Sequence, residues 1–335
     1  MRALKLNSVT FLLTGLLFTF SASAQVDTIR VVYYPPWNVS KLPMYLARDL
    51  GIFERSGLKI AWTNPGSNDK LLATLRSSGA DIAVVSANHV VQNNASGGAA
   101  MLLVGNTGYN YSVFLADLAI KSAADLKGRK VGTAEAGSTP DQLTRLALRK
   151  LGIDPDKDVT LVHFDEGRSA DRASSLLAGE IAAIMVTAEA MYDLEKTGQI
   201  TRFTRLTDHK QLKIYAGGGA DYAMSTSFLT NRREAAKSFM SGICEGIALG
   251  KKDKAKALEF VAKTGRKMDK AGIEYLYRLY TTEVIPDKPY PKPEGVELAI
   301  QMIASTMPAA RAMKAAALVD ASLINELEKE GRCNF

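Results

Sequence analysis

The sequence predicts an α/β protein whose chain forms two similar lobes, and three observations support this. Hydrophobic residues make up 47% and charged residues 23% of the 335 residues, a balance typical of globular rather than disordered or fibrous chains. Strand and helix patterns alternate in the order βαβαβ, which indicates parallel sheets covered by helices. That order occurs twice, and the second run matches the first at a constant offset of 101 positions.

The first run begins near the start of the chain. Its strands are rich in β-branched and aromatic residues, and its helices carry apolar residues three and four positions apart. The predicted elements are the strand Thr28–Tyr34, the helix Lys41–Glu54, the strand Leu58–Thr63, the helix Asn68–Ser77 and the strand Asp81–Val85.

The second run repeats this order. Its predicted elements are the strand Lys130–Ala134, the helix Pro140–Leu151, the strand Val159–Phe164, the helix Ala170–Ala178 and the strand Ile181–Val186. At the offset of 101, Leu50-Gly51-Ile52 falls on Leu151-Gly152-Ile153 and Leu75 falls on Leu176. Duplication of one unit explains this match, and so do packing rules shared by two similar units. Either explanation gives two similar lobes in tandem.

The last hundred residues are predicted to be largely helical. The predicted helices are Arg233–Leu249, Lys254–Lys263, Ala271–Val284 and Gly295–Ser305. This stretch has too few strands for a third α/β domain, so we expect it to wrap the first lobe. The predicted division is therefore lobe I from residues 25–114 and 218–335, and lobe II from residues 115–217.

This division makes the chain cross between the lobes twice, near Ser112–Asp117 and near Tyr215–Gly219. Gly217-Gly218-Gly219 could absorb the dihedral changes of a hinge, or could be an ordinary surface turn. We expect a two-segment hinge with a ligand cleft between the lobes.

The first 24 residues have the three-part layout of a secretory signal peptide. Arg2 and Lys5 precede an apolar run over residues 9–20, and Ala22-Ser23-Ala24 forms a small-residue cleavage site. A membrane anchor is the alternative, but the run is well short of the roughly 20 residues that span a bilayer. We therefore predict export, with cleavage after Ala24.

Several classes of site are not expected. The two cysteines, Cys244 and Cys333, exclude a four-cysteine zinc site. They could form a disulfide in an oxidising compartment, or Cys244 could be a small buried residue. The net charge of +7 raises nucleic acid as a partner, but the lysines at 251–256 have no interleaved aromatic residues. Nucleotide and metal motifs are absent from the sequence, so no cofactor and no nucleic acid are expected.

Candidate ligand-binding residues follow the predicted strands, because ligands bind at the carboxyl ends of strands in open α/β sheets. In lobe I they are Trp37, Asn38, Asn64, Ser67, Ser86 and Asn88. In lobe II they are Gly137, Ser138, Thr139, Asp165, Thr187 and Glu189. We expect these two sets of loops to face each other across the cleft.

The residue types suggest what the cleft holds. Ser138 and Thr139 precede Pro140 at the start of a helix, where free N–H groups either bind an anion or need only a cap. Trp37 could provide a stacking wall. Asp165 and Glu189 are either solvated, or face the cleft and favour a ligand with an amine or ring N–H.

Three stretches resemble the nitrate/sulfonate/taurine-type solute-binding proteins of ABC importers. Residues 42–58, LPMYLARDLGIFERSGL, resemble the family's P-x-Y-x-A…G-x-F…G-L opening. Residues 122–132, SAADLKGRKVG, resemble its s-x-x-D-L-K-G-K-x-V segment, and residues 176–184, LLAGEIAAI, its A-L-x-x-G-x-x-D-A strand. Ala182 stands where these proteins often have Asp, and Glu189 alone remains of a common W-x-E-P.

This resemblance implies a periplasmic-binding-protein type II fold and a receptor that is not an enzyme. It implies a small anionic or zwitterionic solute, sulfonate- or taurine-like, and a permease in the inner membrane as partner of a monomeric periplasmic protein. The alternatives are an enzyme resembling thiamine-pyrimidine synthases, a binding protein for a pyrimidine precursor or aromatic carboxylate, and a receptor that serves a sensor. The export signal and the lack of a cysteine-rich segment favour the receptor.

Overall fold

The computed structural model describes residues 28–34, 39–108, 112–165, 169–205, 220–264 and 268–334. Within these residues, ten strands form two five-stranded sheets. The strands are β1 Thr28–Tyr33, β2 Lys59–Thr63, β3 Ile82–Val85, β4 Met101–Asn106, β5 Ser112–Asp117, β6 Lys130–Thr133, β7 Thr160–His163, β8 Ala183–Thr187, β9 Ile200–Arg205 and β10 Asp221–Ser225. The signal peptide predicted over residues 1–24 lies outside the described residues.

Helices cover both sheets. They are α1 Leu42–Asp49, α2 Ile52–Arg55, α3 Asn68–Arg76, α4 Ala87–Ala95, α5 Thr139–Lys150, α6 Ser169–Leu177, α7 Ala188–Glu195, α8 Thr226–Asn231, α9 Arg233–Lys252, α10 Lys254–Thr264, α11 Lys270–Leu279, α12 Pro293–Ile303 and α13 Ser322–Lys329. Short turns of other helical types include Val39–Lys41 before α1 and the π-helical turn Tyr280–Val284 after α11. None of the helices in the described part of the chain is long and apolar enough to cross a membrane.

The strand order is β2-β1-β3-β10-β4 in the first sheet and β7-β6-β8-β5-β9 in the second. We call the first sheet, with the helices that pack on it, lobe I, and the second sheet with its helices lobe II. The first three strands of each sheet are parallel, as predicted. The fourth strand, β10 or β5, is antiparallel to both of its neighbours, so the fifth strand again runs in the direction of the first three. The parallel pairing predicted for the βαβαβ segments is therefore confirmed, and two strands that were not predicted complete each sheet. One of them, Met101–Asn106, is nearly all apolar, and such a run does not distinguish a strand from a buried helix by periodicity.

The offset of 101 positions is a structural repeat. Helix α3 begins at Asn68 and α6 at Ser169, and both helices are nine residues long. Gly51 and Gly152 both have positive φ, at 68° and 77°, which glycine adopts without the strain of a Cβ. Gly51 also separates α1 from α2, so the single helix predicted over residues 41–54 is in fact two.

Both faces of each sheet are buried. In β1, Ile29 and Val31 belong to one core cluster and Val32 to the other, and all three are at most 1% exposed. Each such side chain contributes roughly 1.5–3 kcal/mol by leaving water. Burial on both faces is what a sheet covered by helices requires, and it leaves the carboxyl ends of the strands for other roles.

The chain passes between the sheets after β4 and again after β9. Ser112–Asp117 is strand β5 of the second sheet, so the first crossing lies just before these residues, between Asn106 and Ser112. The two crossings approach each other where the Thr107 N–H donates to the Ala220 carbonyl, at 3.0 Å. Residues 109–111 and 206–219, which include the predicted hinge glycines, lie outside the described residues.

The C-terminal helices pack chiefly on lobe I, with α9 against α1 and α12 against α4. A Cβ on Gly246 of α9 would lie 2.2 Å from the Pro43 carbonyl oxygen, so α9 and α1 approach closely only because this residue is glycine. Cys244 of α9 and Cys333 form a disulfide that ties down the end of the chain. Helix α11 also touches lobe II, where Tyr192 of α7 donates to Asp269 at 3.0 Å.

Candidate functional site

The two lobes meet where α4 and α5 begin. The Asn88 side-chain Nδ2 donates to the Thr139 Oγ1 across the two lobes, at 2.9 Å. Asn88 is 2% exposed, and Thr139 is partly buried. The structure therefore brings together two residues that the sequence predicted on opposite sides of a cleft.

On the lobe I side, a buried basic pair lies beside this contact. The Ser86 N–H, just before α4, donates to the His89 Nδ1 at 3.2 Å. Burial, together with the positive charge of Lys41, lowers the pKa of His89 to about 4, so this ring is neutral at neutral pH. Lys41 is fully buried, and burial lowers its pKa well below the usual range.

A buried carboxyl group also supports the start of α4. Asp221 accepts a hydrogen bond from the Ala87 N–H at 2.9 Å and another from the Asn106 side chain at 2.7 Å. The Lys292 ammonium donates to the same Asn106 side chain, at 2.7 Å. Burial raises the pKa of Asp221 to about 7 despite these favourable partners. This cluster joins the end of β4 to the start of β10, next to both crossings.

On the lobe II side, the start of α5 already holds a carboxylate of its own chain. The Asp141 Oδ2 accepts from the Gly137 N–H at 3.0 Å and from the Arg145 Nε at 3.0 Å. Its Oδ1 lies 3.2 Å from the His163 Nε2. The Ser138 hydroxyl caps the helix by accepting from the Asp141 N–H at 3.4 Å. The groups that were predicted to meet an outside anion are thus partly used within the helix.

Gln142 lies in the first turns of α5 and is 8% exposed. Its Nε2 donates to the Gly137 carbonyl at 3.0 Å, which fixes the orientation of the amide. The Oε1 of this amide is buried and accepts no hydrogen bond from any residue that the structure describes. Buried acceptors are nearly always satisfied, so this oxygen indicates a missing donor.

The other predicted site residues fall into four groups. Asn64 and Ser67 make local hydrogen bonds, to the Gly66 N–H at 3.0 Å and the Lys70 N–H at 3.4 Å. Asp165 is exposed at the end of β7. The backbones of Thr187 and Glu189 end β8 and begin α7, while Trp37 and Asn38 lie outside the described residues.

Five buried polar residues beside the contact between the lobes were not among the predicted residues: Lys41, His89, Asp141, Gln142 and Asp221. A signal was present for two of them, because Lys41 and Gln142 are 101 positions apart and hence equivalent in the repeat. Among the described residues, no group of three His, Cys, Asp or Glu side chains is arranged to hold a metal ion.

Residues 38–257 match the protein family described as NMT1/THI5 like, so the chain belongs to this family. Two curated relatives carry the name "putative binding protein": YtlA of Bacillus subtilis, 24% identical over 55% of this chain and 57% of its own length, and a Brucella abortus protein, 34% identical over 47% and 48%. The chain spans about half the length of the curated relatives it matches.

Solved structures show the fold. The periplasmic aliphatic sulphonate binding protein SsuA from Escherichia coli superimposes with a TM-score of 0.67 at 19% identity, covering 88% of this chain and 91% of that chain. The periplasmic nitrate-binding protein NrtA from Synechocystis PCC 6803 gives a TM-score of 0.65 at 13% identity, covering 91% and 89%. The fold is therefore that of the periplasmic binding proteins, as the sequence predicted.

Proposed function

We propose that this protein is a periplasmic receptor of an ABC importer. In this proposal it captures a small anionic or zwitterionic organic solute, sulfonate- or taurine-like, by closing its two lobes, and presents the solute to a permease in the inner membrane. The Asn88–Thr139 hydrogen bond carries the proposal, because it joins the two lobes through residues at the ends of their sheets. Such a contact forms only when the lobes are close together.

The fold neighbours support the kind of ligand. SsuA is named for aliphatic sulphonates and NrtA for nitrate, both small anions. In lobe I, an acidic group bound beside the buried Lys41 would favour the charged form of this lysine, whose pKa burial otherwise lowers. We propose Ser86, Asn88 and Thr139 as ligand contacts at the centre of the site, with the other predicted loop residues around them.

We also propose the boundaries of the two lobes and a location in the periplasm. Lobe I would comprise residues 25–111 and 218–335 and lobe II residues 112–217, which moves the predicted boundary at 114/115 to the start of β5. The protein would be a monomer that is exported and cleaved after Ala24. The partner that receives the loaded receptor would be a permease, and a membrane sensor is the alternative partner.

An enzyme is the second candidate, by resemblance to thiamine-pyrimidine synthases. Both cysteines are joined in a disulfide between α9 and the end of the chain, so neither is a free thiol nucleophile. The family neighbours quoted above are named for binding. These observations favour a receptor without catalysis.

A thermal-shift screen of the mature protein tests the proposal. The panel contains sulfonates, aminosulfonates, nitrate, bicarbonate, pyrimidines and aromatic carboxylates. A ligand at about 100 times its Kd adds roughly 2.7 kcal/mol of stability, which is a clear rise in Tm. Hits are confirmed by calorimetry on the wild type, on Asn88→Ala and on Asn231→Ala, an exposed asparagine of α8 that serves as the control.

We expect one class of panel member to bind, with the affinity lost in Asn88→Ala and kept in Asn231→Ala. Binding by neither sulfonates nor any other acid of the panel contradicts the proposed function. Chemical conversion of the hit, followed by mass spectrometry of the incubated mixture, would instead support the enzyme.

A further inference from the structure

Positions 41 and 142 are equivalent in the internal repeat but carry opposite chemistry. Lys41 precedes α1 in lobe I, and Gln142 lies at the corresponding place in α5 of lobe II. Both side chains are more than nine-tenths buried. A lysine ammonium can only donate hydrogen bonds, whereas the Gln142 Oε1 can only accept them. The two lobes therefore offer different partners to a solute that lies between them.

The start of α5 is unsuited to a second negative charge. The Asp141 side chain is only 3% exposed, so its charge is poorly screened by solvent. Its carboxylate occupies the position next to the Gly137 N–H where an outside anion would otherwise sit. Arg145 pairs with this carboxylate at 3.0 Å and offsets part of its charge, but the Gly137 N–H that an outside anion would need remains taken, so a cationic or neutral group is favoured at this place.

The Gln142 Oε1 requires a hydrogen-bond donor. The same amide donates to the Gly137 carbonyl, so the oxygen lies at the loop that precedes Thr139. Thr139 itself touches Asn88 of lobe I, which places this loop at the contact between the lobes. A protonated amine would supply both the donor that Gln142 needs and the positive charge that Asp141 favours.

We propose that lobe II binds the amine end of a zwitterionic solute, with the Gln142 Oε1 as its acceptor and Asp141 as the residue that selects for positive charge. The acid end of the solute then faces Lys41 in lobe I. This inference rests on the proposed receptor function and narrows its ligand class. The preferred solute is an amino acid or aminosulfonate with separated charges, and bare nitrate or an alkylsulfonate binds more weakly.

Matched pairs of ligands that differ only in the amine test this polarity. Calorimetry compares taurine with ethanesulfonate and β-alanine with propionate on the mature wild-type protein. We expect the member with the amine to bind at least about tenfold more tightly, which corresponds to 1.4 kcal/mol. This comparison needs no substitution and so does not depend on the folding of a variant.

Two substitutions then assign the preference to these residues. Gln142→Leu removes the acceptor, and Asp141→Asn removes the charge while keeping an oxygen for the Gly137 N–H. We expect each to reduce the amine preference several-fold with little change for the amine-free ligand. The controls are Gln92→Leu, whose Oε1 is also buried without a partner among the described residues, and Asp156→Asn, which pairs with the same Arg145 at 2.6 Å but is 60% exposed.

The possible outcomes separate the two proposals. Tighter binding of ethanesulfonate and propionate than of their amines overturns the polarity while leaving the receptor function intact. An amine preference that survives both Gln142→Leu and Asp141→Asn removes the assignment to these residues. Failure of every acid in the set to bind contradicts the receptor function, and the polarity falls with it.

Discussion

Lobes I and II share a frame and differ at the edges that face each other. Helices α3 and α6 begin 101 positions apart, and in each sheet the fourth of the five strands runs antiparallel to the other four. At the inner edges, however, lobe I carries the buried Lys41 and His89, and lobe II carries Asp141 and Gln142. The comparison teaches that repeated apolar positions give the two lobes the same frame, whereas the residues that break the repeat give their inner edges different polar groups.

Replacing a core residue of lobe I by its equivalent from lobe II gives the largest expected loss of stability. Leu71 of α3 is fully buried, and the residue at the equivalent position of α6 is Arg172, at 9% exposed. We expect Leu71→Arg to destabilise lobe I by about 4 kcal/mol or more, because a charge would enter an apolar core. Urea unfolding followed by circular dichroism measures this, with Leu71→Met as the control at below about 1.5 kcal/mol. A small loss in Leu71→Arg would mean that lobe I tolerates arginine as lobe II does.

The disulfide is present in lobe I and has no counterpart in lobe II. It joins residues that are 89 positions apart, so its removal releases a long loop in the unfolded chain. We expect the double variant Cys244→Ala/Cys333→Ala to lose about 2–4 kcal/mol of unfolding free energy. Solute affinity should be unchanged, because the bridge ties α9 to the end of the chain and not to the inner edges. A matching loss of affinity would show that the C-terminal segment supports the site directly.

Asp221 makes lobe I sensitive to pH. Its pKa in the folded protein is raised to about 7, mainly by burial, from an unfolded value near 4. The folded state therefore holds the proton more tightly, so the stability contributed by protonated Asp221 is complete below about pH 4 and is lost as the pH rises to about 7. The slope is at most about 1.4 kcal/mol per pH unit.

Thermal unfolding between pH 5 and 8 measures this slope. We expect Asp221→Asn to flatten it, whatever its effect on absolute stability, because an amide does not titrate. Among the described residues, Lys292 is the charged group that lowers the pKa of this carboxyl. The neutral Ala87 N–H and Asn106 amide donate hydrogen bonds to it. Equal slopes in the two proteins would show that Asp221 is ionised throughout this range.

The contact between the lobes gives the smallest expected change in stability. Thr139→Val keeps the shape of the side chain but removes the acceptor for Asn88. We expect a loss of at most about 1.5 kcal/mol in unfolding free energy, the net value of one hydrogen bond. Solute affinity should fall more clearly, by several-fold, because the closed arrangement is disfavoured. Calorimetry with a solute from the screen measures it, and an unchanged affinity would separate the contact from binding.

Much of the frame was predictable from the sequence. The predicted strand at residues 28–34 and helix at 68–77 agree with β1 and α3 to within a residue, because a β-branched and aromatic run predicts the strand and apolar residues at helical spacing predict the helix. The antiparallel strands were missed because β4 and β10 are buried on both faces and show no alternation. Their pairing depends on a return of the chain more than a hundred residues later, which no local pattern specifies.

The site was predictable only as a set of loops. The rule that ligands bind at strand ends led to Asn88 and Thr139, which are in contact. The same rule did not indicate that Asp141 fills the start of α5, since one side chain hydrogen-bonding to a loop four residues earlier leaves no periodic trace. Gln142 was missed because an unsatisfied oxygen is a property of packing, not of sequence.

Small-angle X-ray scattering tests the central claim that the two lobes close on a solute. The mature protein is measured alone and at saturation with a solute from the thermal-shift screen. In the structure the lobes touch through Asn88 and Thr139, which is the arrangement that we expect for the loaded protein. We expect the free protein to be more extended, and the solute to contract it until its scattering matches this structure. A radius of gyration that is the same with and without bound solute would contradict closure and the receptor mechanism built on it.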